Sequence, residues 1–288
     1  MNALLKNEPM SQHTSWRLGG PADTYFRPQS IAELQSFLGK LDDETPLHWT
    51  GLGSNLLVRD GGIRGVVIAP TRAMAGVTRL SEQVVEAGAG VPCSMLARRC
   101  ARWQLGPSAF FAGIPGTVGG ALAMNAGAFE GETWDSVREV DTIDRHGTIR
   151  TRQASEFSIG YRQVDGLTGE WFVTARFEFA DQGVDSVEAV RSLLRERQEK
   201  QPLGLPSCGS VFRNPPGKHA AQLIESAGLK GHRIGGAEVS QKHANFIINT
   251  GDATAADVEA LIDHVRDAVE DRHGVRLERE VHIVGEPA

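Results

Sequence analysis

Cysteine is scarce in this 288-residue chain, which has only Cys93, Cys100 and Cys208. An odd number at these spacings makes neither a disulfide framework nor a zinc site, and no histidine pair has ligand spacing, so no metal site is expected. A reducing, cytoplasmic setting is the simplest reading of that usage. Long apolar runs are also missing. No stretch approaches the roughly 18 uncharged apolar residues of a membrane span. Met1 to Met10 carries one lysine and no hydrophobic run of signal-peptide length. Excess positive charge is absent: 30 Lys and Arg against 36 Asp and Glu leave −6, whereas a nucleic-acid protein would present a basic face. No Walker sequence occurs, and the first glycine loop departs from G-x-G-x-x-G at Leu56. There is no internal repeat or low-complexity stretch.

The chain is long enough for two or three compact units. Ser30 starts a short helix with Ile31, Leu34, Phe37 and Leu38 on one face, and strands are expected at Leu47 to Thr50 and at Val66 to Ile68. A second helix begins at Pro92, carries Met95, Leu96, Arg99, Ala101 and Trp103, and runs to Gly106. Val140 to Ile143 and Ile149 flank the turn Arg145-His146-Gly147. Trp171 to Val173, Phe177 to Phe179 and Phe157 to Arg162 read as further strands. Helices follow at Val187 to Lys200, at Ala220 to Ala227 before Gly228, and at Ala255 to Asp271. An alternating strand closes the chain at Arg276 to Gly285.

Two glycine-rich loops carry the first chemical signal. Gly51-Leu52-Gly53-Ser54-Asn55-Leu56-Leu57 follows a strand; its successive N–H groups, with Ser54 and Asn55, suit a phosphate, and a tight strand turn suits the pattern equally. In Gly113-Ile114-Pro115-Gly116-Thr117-Val118-Gly119-Gly120-Ala121, continuing through Asn125 and Gly127, Thr117 is placed to cap a helix. Gly119 and Gly120 remove bulk, either for an extended ligand or for close helix–sheet packing. Two such loops some 60 residues apart fit a diphosphate gripped from two directions.

Acid–base and charged candidates lie further on. Arg162, after Tyr161, suits a carboxylate or a surface ion pair. Ser210, between Gly209 and Val211, has no neighbouring His–Asp pair and is no acyl nucleophile. Between Arg213 and His243 five Lys and Arg face two Glu, a local +3 in which Arg233 lies; an anionic ligand or a solvated basic face would each account for it. Glu278 and Glu280, two apart on the last strand, share a face, which is either partly buried with a raised pKa or solvent-facing.

Taken in order, these pieces resemble the UDP-N-acetylenolpyruvoylglucosamine reductase family. The matching segments are His13-Thr14-Ser15-Trp16-Arg17-Leu18-Gly19-Gly20, the two glycine loops, Gly160-Tyr161-Arg162, Cys208-Gly209-Ser210-Val211-Phe212, the run from Gly231 to Ala237, and Leu277-Glu278-Arg279-Glu280-Val281. The resemblance implies an α+β, three-domain FAD-binding fold of the FAD-linked oxidase type. Its domains are 1–70 with 276–288, 71–185, and a substrate-binding domain at 186–275. It implies non-covalent FAD held by Gly51, Gly53, Ser54, Asn55, Leu56, Gly113, Gly116, Thr117, Gly119, Gly120, Asn125 and Gly127. NADPH is the implied hydride donor and an enolpyruvyl UDP-sugar the implied substrate. Arg162 and Glu280 match the pair that stabilises the enolate, and Ser210 matches the proton donor. Tyr161, Lys200, Asn214, Arg233 and His243 are the implied substrate contacts. The short connection after Arg162 resembles the subtype without an extra tyrosine-bearing loop. A monomer without nucleic-acid or membrane partners is expected. Two alternatives remain open: another FAD-linked oxidase, in which His13 or Cys93 would be the attachment residue by type, and a non-catalytic nucleotide-binding regulator.

Overall fold

The structure, a computed structural model, describes residues 3–179 and 186–288. Met1, Asn2 and residues 180–185, which include the expected end of the second domain at 185, lie outside the described residues. Six α-helices occur among the described residues: α1 Ile31–Leu38, α2 Cys93–Arg102, α3 Val118–Met124, α4 Val187–Lys200, α5 Ala220–Ser226 and α6 Ala255–His273. The chain divides into two compact units. One comprises Met1–Leu4, Phe26–Gly51 and Val67–Arg197; the other comprises Leu5–Tyr25, Leu52–Val66 and Gln198–Ala288.

The first unit is built on a five-stranded antiparallel sheet. Its strands run in the order Ile149–Gln153, Val137–Asp144, Glu170–Glu178, Val84–Gly88, Val77–Arg79. The two strands expected at 171–173 and 177–179 are one continuous strand. The polar residue between them, Arg176, does not break it, because Glu86, Glu139 and Asp141 on adjacent strands each take one of its N–H groups at 2.9–3.0 Å. Helix α1 starts as expected, with Ser30 Oγ accepting from Glu33 N. Helix α2 stops at Arg102 rather than Gly106, since Gln104 adopts φ 59°, which a helix cannot accommodate. Its buried face is Cys93, Leu96, Ala97 and Cys100, while Met95 is exposed. The two cysteines, seven residues apart, are therefore core-facing residues.

The second unit packs α5 and α6 on a three-stranded antiparallel sheet, Arg233–Ile234, Ala237–Val239 and Ile247–Asn249. Helix α6 buries Val258, Leu261, Ile262, Val265 and Val269 in a core shared with Trp16, Phe212 and Leu277. Burying such side chains stabilises a fold by roughly 1.5–3 kcal/mol each. Trp16 is tied in at both ends: its Nε1 donates to Ile247 O at 2.7 Å and its carbonyl accepts from Asn249 Nδ2 at 2.9 Å. Thr254 and Asp257 form a capping box at the start of α6, and the Asp60 carboxylate accepts from Ala255 N and Ala256 N. The helix runs two residues past Asp271 and ends at Gly274, φ 62°.

The closing strand is shorter than the alternation suggests. Only His282–Val284 is regular, parallel to Leu56–Val58. Ahead of it, Val211 O accepts from both Glu280 N (2.8 Å) and Val281 N (3.4 Å). One carbonyl facing two successive N–H groups breaks the two-residue repeat. Leu277 and Val281 are both buried, whereas Glu278 is 79% exposed and Glu280 is half-buried. The two glutamates do not share one environment. Removing the α6 cap with Thr254→Ala should lower the unfolding free energy by about 1 kcal/mol in urea. An unchanged midpoint would mean that the Asp60 contacts alone suffice to start α6.

Candidate active site

A cavity of about 250 Å³ lies in the first unit. Trp49, Thr50, Gly51, Ala89, Gly119, Gly120 and Trp171 are among the residues of its wall. Trp49 and Trp171 stack at 4.9 Å. Trp49 Nε1 and Thr50 Oγ1 are buried without a hydrogen-bond partner among the described residues, a costly state that a bound polar group would relieve. The volume is below the roughly 300–1,000 Å³ of a whole drug-sized site and suits one section of an extended ligand.

Thr117 caps α3 as expected, with Oγ1 accepting from Gly120 N. The two helix glycines do different things. A Cβ on Gly119 would lie 3.0 Å from Ala89 Cβ, so this glycine serves close packing. A Cβ on Gly120 would meet only Thr117 Oγ1 at 3.8 Å and otherwise open space. The packing reading fits Gly119, and Gly120 is left facing open space. Gly113 and Gly127 are packing positions, with Cβ approaches of 2.6 Å to Ala128 and 2.4 Å to Gly131 O. Gly116 O accepts from Cys93 N.

Arg162 is not at the end of a strand. Strands Ser158–Gly160 and Gln163–Asp165 pair with Gly160 opposite Gln163, so Tyr161 and Arg162 form the two-residue turn. Arg162 adopts φ 55°, a region that long side chains avoid. Its guanidinium holds the turn in place: NH1 donates to Asn125 O at 3.2 Å and NH2 to Gly127 O at 2.9 Å, with Glu132 at 3.8 Å. Asn125, at φ 43° after α3, donates from Nδ2 to Glu132 and to Gly160 O and accepts at Oδ1 from Trp134 N. Its side chain thus fastens the second glycine loop to the arginine hairpin. Tyr161 is exposed, with its ring 4.9 Å from the Arg162 guanidinium. Arg162 is one of several non-glycine residues at positive φ, among them Arg17 and Gln104, and these contacts offset the strain at its position.

In the second unit Gly53 takes φ 60° against the backbone of His13, which a side chain could not occupy, and Gly53 O accepts from Ser15 N. Asn55, after Ser54, donates from Nδ2 to Glu280 O at 3.0 Å and accepts at its carbonyl from His282 N; Leu56 begins the strand paired with His282. Ser210 and Glu280 are brought together through one residue, since Val211 O accepts from Glu280 N. Cys208, two residues before Ser210, donates its thiol to Gly53 O and Leu56 O at 3.6 and 3.5 Å. Burial pushes that thiol up to about 12, so it stays protonated as a donor.

Of the remaining candidates, Asn214 Oδ1 accepts from Ala220 N and so supports the start of α5. Arg233 pairs with Glu238 across its hairpin and Lys230 pairs with Glu225, so two of the five local cations are neutralised. Lys242 Nζ donates to Gln198 O. Lys200 is exposed. His243 lies edge-on to Phe246, and burial, reinforced by Lys230, lowers its pKa. The two attachment candidates are unsuited to forming a covalent link. Cys93 is fully buried, which raises its thiol pKa and suppresses the nucleophilic thiolate. His13 is held by Glu8 at 2.8 Å and stacked on Tyr25. Among the described residues no group of three His, Cys, Asp or Glu could hold a metal ion, and no helix is long and apolar enough to cross a membrane.

A family model described as "FAD binding domain" matches residues 22–152, and one described as "UDP-N-acetylenolpyruvoylglucosamine reductase, C-terminal domain" matches 201–284. A UDP-N-acetylenolpyruvoylglucosamine reductase of Alkalilimnicola ehrlichii is 58% identical over 97% of this chain and 94% of its own length. The chain belongs to the UDP-N-acetylenolpyruvoylglucosamine reductase family. Another member, from Methylococcus capsulatus, is 54% identical over 98% of this chain and 93% of its own. The crystal structure of the Thermus caldophilus reductase superposes with a TM-score of 0.80 at 30% identity, covering 97% of both chains. The fold is therefore the α+β, FAD-linked oxidase type of this reductase family.

Sequence reasoning missed the aromatic wall of the cavity, Trp49 and Trp171, and the buried Asn245. Trp49 and Thr50 directly precede Gly51, a position that could have drawn attention; Trp171 reads simply as a strand residue. Gly120→Leu should fold with an unchanged circular dichroism spectrum, because leucine favours a helix and a Cβ there meets only Thr117 Oγ1 at van der Waals distance, yet copurify with little flavin. Full flavin absorbance in that variant would remove this cavity from the cofactor site.

Proposed function

We propose that this chain reduces the enolpyruvyl double bond of UDP-N-acetylglucosamine enolpyruvate, giving UDP-N-acetylmuramate for peptidoglycan synthesis, with NADPH as donor and non-covalent FAD as cofactor. The observation that carries this reading is the 58% identity to a reductase over 97% of the chain. The first unit suits FAD physically: the cavity beside Gly120 is open, and Trp49 Nε1 and Thr50 Oγ1 are unsatisfied donors in its wall. The loops Gly51–Leu56 and Gly113–Gly127 would hold the cofactor. When bound, FAD relays a hydride from NADPH to C3 of the enolpyruvyl group.

The protein's own residues supply the rest. Hydride arrival at C3 places negative charge on C2 and the adjoining carboxylate. Arg162, rigid in its turn, stabilises that charge without reorganising. Ser210 gives its hydroxyl proton to C2, completing the addition of one hydride and one proton across the double bond. Serine is a weak acid, but a carbanion next to a carboxylate is a strong base, so the transfer runs downhill. Glu280, tied to Val211 and Asn55 through its backbone, shares with Arg162 the stabilisation of that enolate, either as a neutral acid or by orienting another donor. Tyr161, Asn214, Arg233 and His243 contact the nucleotide sugar, and Lys200 holds its diphosphate or NADPH. The chain is read as three domains, 1–70 with 276–288, 71–185 and 186–275, and as a cytoplasmic monomer contributing to cell shape and division.

Under anaerobic conditions NADPH should bleach the flavin band and the enolpyruvyl nucleotide should restore it. Because the two ligands use one site in turn, steady-state kinetics should be ping-pong; intersecting lines would contradict the shared site. Ser210→Ala should leave bleaching near normal and slow reoxidation about 10²–10⁴-fold, with partial recovery in Ser210→Cys. Equal slowing of both half-reactions in stopped flow would sink the proton-donor role.

A further inference from the structure

Asn245 is 3% exposed and its polar groups bond to the backbone of Phe212, in the irregular segment that carries Ser210. Its Oδ1 accepts from Phe212 N at 3.0 Å, its Nδ2 donates to Phe212 O at 2.8 Å, and its backbone carbonyl accepts from Val211 N at 2.9 Å. The carboxamide thus imitates a paired strand, filling a donor and an acceptor of one residue. On the other edge, Val211 O and Arg213 N bond to Glu280 N and Glu278 O. The two residues after Ser210 are therefore clamped from both sides. The requirement is chemical as well as steric. Leucine has similar volume but leaves two buried backbone groups unpaired, and an ionised aspartate would face Phe212 O with a second acceptor.

We propose that Asn245 is a positioning residue for proton delivery: its carboxamide fixes the backbone just beyond Ser210 and so the direction of the serine hydroxyl toward C2. This rests on the reading of Ser210 as the proton donor.

The test compares Asn245→Leu, Asn245→Asp, Ser210→Ala and the double variants as flavin-loaded enzymes. Amide hydrogen exchange at Phe212 should quicken in Asn245→Leu, which removes the acceptor of Phe212 N, while α6 amides stay protected. Reoxidation by the enolpyruvyl nucleotide should slow roughly 10- to 100-fold, as expected for misplacement of a reacting group by about 1 Å. Bleaching by NADPH should stay within about twofold of the parent. In a Ser210→Ala background, Asn245→Asp should add no further slowing, because the two act on one step. Equal slowing of both half-reactions, or full additivity with Ser210→Ala, overturns the positioning role while leaving the proton donor intact. Normal reoxidation in Ser210→Ala removes the proton-donor reading and this inference with it. Should Asn245→Leu fail to fold, the isosteric Asn245→Asp decides alone.

Discussion

Val211 gives its N–H to Asn245 O and accepts at its carbonyl from Glu280 N, and the placement of the segment around Ser210 hangs on those two bonds. A buried backbone group must be paired, so neither neighbour can drift without cost. Ser210 precedes this residue and Glu280 is bonded to it directly. Asn55, from the first glycine loop, then takes hold of Glu280 O, and Cys208 bonds to the carbonyls of Gly53 and Leu56. The first glycine loop, the segment after Ser210 and Glu280 are thereby linked through hydrogen bonds to backbone groups, which tolerate little positional error.

The first unit solves a similar problem by strain. Arg162 is placed in a turn at a φ suited to glycine or asparagine, and its own guanidinium bonds to the carbonyls that hold it there. Asn125 ties the end of α3 to the same hairpin. The helix that opens with Thr117 beside the cavity and the arginine hairpin are therefore one rigid assembly. A preorganised cation stabilises developing charge better than one that must first be ordered.

Helices α1, α4 and α6 were legible almost to the residue, because each has a cap or a breaker beside a regular apolar stripe: Ser30, Pro202, Thr254 and Gly274. The strands were less so. Trp171 to Phe179 looked like two because Arg176 interrupts the apolar run; three carboxylates on neighbouring strands, invisible to local pattern, make it one. The terminal segment looked regular because Val275, Leu277, Val281 and Ile283 fall on odd positions, yet the shared acceptor Val211 O breaks its repeat.

By itself the sequence determined the family, the candidate residues and the absence of metal-ligand spacing, since these depend on residue types at short, ordered separations. It also determined that Thr117 would cap a helix. Tertiary structure alone decided which of Gly119 and Gly120 packs and which faces open space, because both satisfy the same local rule and differ only in what lies 3–4 Å away. It alone put Arg162 in a strained turn, neutralised Arg233 with Glu238, and brought Asn245 to Phe212 across 33 residues of chain. Hydrogen-bond partners so far apart leave no periodicity in the sequence, and only a folded backbone brings them within 3 Å.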